Sequence, residues 1–183
     1  MTTPSTPAKP VQSRARLQVG LVGAGMISYH HLVAWSRQER AQVVAVCDPQ
    51  IERARQRAAE FGIPAAYDRV EAMLDKHALD AVDIASPRET HAALVGIAAE
   101  RGIDALCQKP LTPTLAEGLA LADRVGSTIR LMVHENWRFR PWYRTLGRWV
   151  ANGDLGPVHC ATMTMLSSGL VRDRKSTRLN SSH

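Results

Sequence analysis

The sequence predicts an α/β fold in which helices cover both faces of a parallel sheet, a doubly wound arrangement. Three short runs, Leu17–Val22, Val43–Cys47 and Ala81–Ala85, are mostly apolar and rich in β-branched residues. Strands that are apolar on both faces are typical of sheets with helices on both sides. Segments of helix length separate these runs, and such alternation of strand and helix indicates parallel strands.

The remaining elements follow the same alternation. Helices are predicted over Met26–Arg37, Ile51–Phe61, Val70–Lys76, His91–Arg101 and Leu115–Val125. Two more short strands are predicted over Ala105–Cys107 and Arg130–Val133. Gly62 and Pro64 end one helix and Gly102 ends another, as helix-stopping residues do. The first domain is therefore predicted to comprise residues 17–134.

The segment after this domain has a different composition. Five of the nine aromatic residues of the chain fall within residues 137–149. A helix is predicted to begin near Pro141 and to end at Asn152–Gly153, because proline suits a first helical turn and glycine the position after the last. This helix either packs into a core or docks between two domains. Residues 135–172, with a strand predicted over Val158–Leu166, are assigned to the start of a C-terminal substrate and oligomerisation domain.

Both ends of the chain are predicted to lie outside the fold. Residues 1–16 are rich in Thr, Ser and Pro, which indicates a disordered tail. A targeting peptide is the alternative, but the segment lacks an amphipathic pattern. Residues 173–183 read DRKSTRLNSSH, which matches a translated sequencing adapter, and a natural polar tail is the alternative. We expect the gene to continue beyond about Arg172, and the second domain to be truncated in this chain.

Charge and cysteine content argue against several classes of protein. Of the net charge of +6, residues 1–16 hold +3 and residues 173–183 hold +2, so nucleic-acid binding is not expected. No apolar run approaches the ~20 residues of a membrane span. The three cysteines, Cys47, Cys107 and Cys160, are far apart. No metal site is predicted, and free thiols favour a reducing, cytoplasmic compartment.

A glycine motif joins the first strand to the first helix. Gly23, Ala24, Gly25, Met26, Ile27 and Ser28 read G-x-G-x-x-S. In this position the first glycine permits a tight turn, the second lets a pyrophosphate approach the backbone, and the third residue packs helix on strand. The helix amino terminus offers N–H groups to phosphate. The motif between a strand and a helix therefore predicts a dinucleotide-binding Rossmann domain.

Asp48 ends the second strand, 25 residues after Gly23. An acid in this position accepts hydrogen bonds from the adenosine ribose and repels a 2′-phosphate. The residue therefore favours NAD over NADP as the cofactor. A helix cap before Pro49 is the alternative role, and the two roles are compatible.

Three further segments complete a resemblance to a known family. They are Asp80–His91, Gln108-Lys109-Pro110, and Arg138 followed by Pro141. With the glycine motif and Asp48, they resemble the Gfo/Idh/MocA oxidoreductases, the relatives of glucose–fructose oxidoreductase and inositol dehydrogenase. The resemblance implies a Rossmann domain followed by an α/β domain with an open sheet. It also implies a sugar, cyclitol or other polyol as substrate, and a homo-oligomer when the protein is full length.

The resemblance also implies roles for matching residues. Lys109 corresponds to the lysine that contacts the nicotinamide ribose and the substrate hydroxyl, and Lys109–Pro110 is expected to be a cis peptide. The other implied cofactor contacts are Ser86, Pro87, His91, Gln108, Asn136 and Arg138. Ser86 as a helix cap, His91 as a structural residue and Arg138 as an interdomain salt-bridge partner are alternatives. His30 and His31 are expected to be exposed or packing residues rather than ligands.

Gln108 departs from the family pattern, which has glutamate before the lysine. The leading hypothesis is an NAD-dependent dehydrogenase in which Lys109 polarises a substrate hydroxyl and a histidine of the second domain accepts the proton. This chain alone is expected to bind the dinucleotide weakly and to be inactive. The alternatives are a non-catalytic dinucleotide sensor or scaffold, which only Gln108 supports, and an NAD-cycled lyase or hydrolase on the same fold.

Overall fold

The structure is a computed structural model that describes residues 16–164. The predictions for the first 15 residues, for the end of Val158–Leu166 and for residues 173–183 lie outside the described residues. The chain divides into two compact units, one ending at Asn136 and the other beginning at Trp137.

The first unit is a doubly wound α/β domain, as predicted. Its strands are β1 (Leu17–Val22), β2 (Ala41–Cys47), β3 (Ala65–Tyr67), β4 (Ala81–Ile84), β5 (Asp104–Cys107) and β6 (Leu131–Val133). All pair in parallel, in the order β3-β2-β1-β4-β5-β6. The helices are α1 (Met26–Trp35), α2 (Ile51–Phe61), α3 (Val70–Lys76), α4 (His91–Glu100) and α5 (Leu115–Val125).

Two clusters of buried side chains hold this domain together, one on each face of the sheet. Leu21 of β1 packs in the cluster that contains Leu32 of α1 and Ala54 of α2. The next residue, Val22, packs in the cluster that contains Val95 of α4 and Leu121 of α5. Consecutive strand residues point to opposite faces, so a strand buried on both sides is apolar at most of its positions.

Two features of the fold differ from the sequence prediction. The strand β3 was not predicted, because three residues after Gly62 and Pro64 carry no measurable periodicity; it pairs with β2. The prediction of a strand over Val158–Leu166 is wrong for the residues that the structure describes, since residues 158–164 form no regular element. A strand requires a hydrogen-bonded neighbour, and all six strands within residues 16–164 belong to the first sheet.

The second unit contains one helix among its described residues. A short 3-10 turn, Asn136–Phe139, spans the division between the units, and α6 (Pro141–Asn152) follows it. As predicted, α6 has Pro141 in its first turn and is terminated by Gly153 in the left-handed conformation. Several of its large apolar side chains are about half exposed, including Trp142 and Trp149. No helix within residues 16–164 is both long enough and apolar enough to cross a bilayer.

Candidate functional site

The strand order places a crevice at the carboxyl ends of β1 and β4. These strands are neighbours in the sheet, but the chain leaves them towards different helices, α1 and α4. In open α/β sheets, ligands bind where the order of strands reverses in this way. The loops that border the crevice contain Gly23 and Gly25 after β1, and Ser86 and Pro87 after β4.

The two glycines of the first loop meet different requirements. Gly23 has φ +100°, and a Cβ atom there would lie 2.7 Å from backbone atoms of both Ala85 and Ser86. Glycine is therefore required for the β1 loop to pass the β4 loop. Gly25 has φ −72°, and an added Cβ would meet no atom within 4 Å. Its missing side chain leaves open space beside the backbone, which is the space that a ligand group needs for close approach.

The amino terminus of α1 is prepared for an anion. Gly25 is its N-cap, no side chain caps the helix, and no acidic residue lies in the first turn. The first amides of a helix and its dipole attract negative groups. Met26 and Ile27 form this first turn, and their side chains are exposed. The third motif residue, Ser28, is fully buried, and its hydroxyl donates to the carbonyl oxygen of Gly25.

Asp48, at the end of β2, holds the glycine loop. Its Oδ2 accepts a hydrogen bond from the Ala24 amide at 2.8 Å, and its Oδ1 accepts one from the Gln50 amide at 2.9 Å. The second bond forms a turn before α2, and no side chain caps that helix, so the structure does not give Asp48 the cap role that the sequence left as an alternative. A carboxylate offers about four acceptor positions, so two remain for a ribose hydroxyl.

A cavity of about 490 Å³ lies over these loops. Gly23, Gly25, Asp48, Ser86 and Pro87 line it, which brings together five of the predicted site residues. Arg53, on the first turns of α2, also lines the cavity. Arg53 was not predicted from the sequence, because an arginine on an amphipathic helix is typical of a solvent-exposed face.

His91 connects two loops of the site. It is 1% exposed, and its Nδ1 and Nε2 lie 2.8 Å from the carbonyl oxygen of Pro110 and 3.0 Å from that of Ser86. Both ring nitrogens face backbone carbonyls, and a neutral ring can donate to only one of them. Because the ring is buried between these two carbonyls, the geometry matches the structural alternative for His91.

The segment after β5 carries the candidate catalytic lysine. The Lys109–Pro110 peptide is cis, as the resemblance predicted. The Gln108 amide donates to the carbonyl oxygen of Ile84, which ties this segment to the end of β4. Lys109 is exposed, and within residues 16–164 its ammonium group has no hydrogen bond or ion pair.

A second cavity, of about 560 Å³, lies on the α1 face near the ends of β5 and β6. Gln108, His134 and Asn136 line it, together with His31 and Asp83. Burial, followed by the neighbouring His31, lowers the pKa of His134. The Nδ1 atom of His134 is buried and has no hydrogen-bonding partner among the residues that the structure describes.

Arg138 belongs to the second unit. Its guanidinium lies 5.6 Å from the centre of the Phe139 ring. Its predicted contact with nicotinamide or substrate stays a prediction, as does its role in a salt bridge between domains.

The sheet order, the glycine loop and the acid after β2 together define a dinucleotide-binding Rossmann domain. Residues 17–134 match the family model described as an oxidoreductase family with an NAD-binding Rossmann fold. The chain therefore belongs to the Gfo/Idh/MocA oxidoreductase family.

Relatives and solved structures agree with this assignment. The chain is 41% identical over 144 residues to a D-apiose dehydrogenase of Paraburkholderia graminis, a match to 77% of this chain and 38% of that protein. It is 38% identical over 156 residues to inositol 2-dehydrogenase 4 of Saccharopolyspora erythraea, covering 81% and 46%. The chain thus spans less than half the length of these relatives.

Solved structures also resemble this chain in both fold and sequence, and one of them illustrates the match. It is an oxidoreductase from Agrobacterium radiobacter in complex with NAD+, L-tartaric acid and magnesium. The TM-score is 0.74 at 31% sequence identity, and the match covers 78% of this chain and 42% of the other. The chain thus spans less than half of that structure's chain as well.

Proposed function

We propose that this chain is the dinucleotide-binding part of an NAD-dependent dehydrogenase that acts on a hydroxyl group of a sugar or cyclitol. The observation that carries the proposal is the open space beside Gly25 at the uncapped amino terminus of α1. The names of the dehydrogenase relatives support the reaction class, and their sugar and inositol substrates support the substrate class.

The residues of the first cavity fit the parts of a dinucleotide. The loop Gly23–Gly25 and the first amides of α1 would hold the diphosphate, and Met26 and Ile27 would flank it. Asp48 would accept from the adenosine ribose hydroxyls. Ser86 and Pro87 would lie against the nicotinamide half, with His91 holding their loop in place.

The segment after β5 would serve the reaction. When the dinucleotide is bound, its nicotinamide ring would accept a hydride from the substrate or return one to it. The Lys109 ammonium would donate a hydrogen bond to the substrate oxygen and stabilise the negative charge that develops on it. Gln108 and Asn136 would orient the cofactor ribose and amide, and Arg138 is a further candidate contact. A histidine of a second domain remains our proposal for the proton acceptor.

The preference for NAD over NADP follows from Asp48. A carboxylate at the ribose repels a 2′-phosphate. Arg53, which lines the same cavity, would reduce this repulsion, so we expect a preference rather than strict exclusion. We further propose a cytoplasmic location and a homo-oligomer for the full-length protein.

Calorimetric titration of the purified chain with NAD+ and NADP+ tests the cofactor assignment. We expect NAD+ to bind severalfold more tightly than NADP+. Tighter binding of NADP+ would show that the interpretation of Asp48 is wrong. Absence of binding by both dinucleotides, to a chain that circular dichroism shows to be folded, would reject the proposed function.

A further inference from the structure

A string of hydrogen-bonded polar groups, of which Asp83 and His31 are buried, leads to the segment that carries Lys109. Asp83 in β4 is 0% exposed. Its carboxylate lies 2.9 Å from Nδ1 of His31 and accepts a hydrogen bond from the Trp35 indole at 2.6 Å. Nε2 of His31 lies 3.0 Å from Nε2 of Gln108. The Oε1 atom of Gln108 accepts from the Lys109 amide at 2.8 Å.

The donors and acceptors of this string fix the state of each member. The Lys109 amide can only donate, so the side-chain oxygen of Gln108 must face it, and the NH2 group of Gln108 must face His31. His31 must therefore present a lone pair on Nε2. Its single proton then lies on Nδ1, where it donates to the carboxylate of Asp83. In this arrangement every group has a partner, as buried polar groups require.

We propose that His31 and Asp83 are positioning residues for the Lys109 segment, acting through Gln108, with His31 held as the neutral Nδ1–H tautomer. The string begins at a buried carboxylate in the middle of the sheet and ends at the backbone of Lys109. It fixes the orientation of the Gln108 amide and, through it, the start of the cis Lys109–Pro110 turn. The consequence for cofactor binding rests on the proposed function, whereas the tautomer of His31 does not.

The same string explains why glutamine fits at position 108. A glutamate carboxylate at position 108 would accept a hydrogen bond from the Lys109 amide. Its other oxygen would face Nε2 of His31 and could also only accept a hydrogen bond. His31 would then need a second proton and would lie between two carboxylates, those of Asp83 and of residue 108. Among the described residues, His134 is the only titratable ring of another element that contacts His31. The centroids of the two rings lie 4.7 Å apart. Gln108 is thus matched to a neutral His31.

The fit between Gln108 and a neutral His31 affects whether Gln108 supports a non-catalytic protein. The difference of Gln108 from the family pattern was the only support for a non-catalytic sensor. The glutamine side chain uses both its donor and its acceptor within residues 16–164, so it retains a positioning role at the carboxyl end of β5.

Nitrogen-15 NMR of the histidine ring nitrogens tests the tautomer directly. In the folded wild-type chain at neutral pH, we expect His31 to show a protonated Nδ1 and an unprotonated Nε2. In Gln108→Glu, we expect both nitrogens of His31 to be protonated. His30→Gln is the matched control, because His30 is the exposed neighbour of His31 and should leave the His31 signals unchanged. A doubly protonated or Nε2–H ring in the wild type would overturn the proposal.

Cofactor affinity tests the positioning role. We expect Gln108→Leu, which removes both hydrogen bonds, to raise the dissociation constant for NADH by about five- to tenfold, the size that the loss of one net hydrogen bond produces. Gln108→Glu keeps the bond to the Lys109 amide and should lose less affinity. A lower melting temperature with unchanged NADH affinity in Gln108→Leu would show that the string is only structural. Failure of the wild type to bind NADH would reject the proposed function and leave the NMR result to decide the tautomer.

Discussion

Gly23 and Gly25 are two residues apart, but the structure gives them different tasks. Replacing Gly23 by alanine would place a methyl group against the backbone of Ala85 and Ser86, at a φ that side chains disfavour. We expect Gly23→Ala to lower the free energy of unfolding by at least about 2 kcal/mol. Urea denaturation measures this change. Gly25→Ala is the control and should retain its stability, and equal losses in both variants would contradict the account.

Asp48 is expected to contribute to stability as well as to binding. In Asp48→Asn, the carboxylate that accepts from the Ala24 and Gln50 amides loses its charge and one acceptor oxygen. We expect a loss of about 1–3 kcal/mol in the free energy of unfolding and weaker NADH binding. The control is Glu52→Gln, an exposed acid on α2 that pairs only with Arg55 in the described part of the chain. If Asp48→Asn is as stable as the wild type, this result would contradict the role of Asp48 in holding the glycine loop.

The site residues that the sequence predicted are those whose role depends on local geometry. The glycines and Asp48 lie at the ends of recognisable strands, so their meeting at one edge of the sheet follows from parallel pairing. His31 was expected to be an exposed or packing residue, and it is buried; its contact with Asp83, 52 positions away, was not predicted. A signal existed: Asp83 interrupts an apolar strand, and a buried acid requires a partner. The identity of that partner depends on how α1 packs, which no local pattern encodes.

The reactivity of the two buried cysteines tests the packing of individual strands. Cys47 ends β2 and Cys107 ends β5, and burial raises the pKa of each thiol to about 12. We expect a thiol reagent at pH 8 to label only the exposed Cys160 rapidly in the native chain. All three thiols should react in urea. Rapid labelling of Cys47 or Cys107 under native conditions would show that β2 or β5 is not packed as described.

The raised pKa values of the two buried thiols predict that the protein loses stability at alkaline pH. An unfolded thiol ionises near pH 9, whereas the native thiols stay protonated until about pH 12. The stability contributed by the buried thiols is therefore present below pH 9 and is lost progressively as the pH rises towards 12. Cys47→Ser and Cys107→Ser variants should reduce this slope in urea denaturation curves, and an unchanged slope would contradict the burial of these groups.

Most elements could be predicted because the residue types in the sequence mark where they begin and end. The bounds of β1, α2, α3 and α5 match the prediction, and glycines follow α2 and α5 directly. The short β3 was missed because its pairing with β2, and not its composition, makes it a strand. The converse applies to Val158–Leu166: its alternating pattern is present, but within the described residues it has no neighbouring strand to pair with.

At the scale of the whole molecule, binding and turnover should separate. Among residues 16–164, the Lys109 ammonium has no side-chain partner that could accept the substrate proton. We therefore expect the 183-residue chain, mixed with NAD+ and a panel of inositols and pentoses, to produce no NADH absorbance at 340 nm above the rate without protein. Sustained production of NADH would contradict the proposal that a second domain supplies the proton acceptor.

The central claim is that the open space beside Gly25 receives the diphosphate of a dinucleotide. Its most direct test is a fluorescence titration with NADH of three chains: the wild type, Gly25→Ala and Gly147→Ala, which adds a methyl group at another unobstructed glycine, in α6. We predict saturable binding by the wild type and Gly147→Ala, and a dissociation constant at least about tenfold higher for Gly25→Ala, a difference of about 1.4 kcal/mol. Equal affinity in all three folded chains, or no binding by any of them, would contradict the claim.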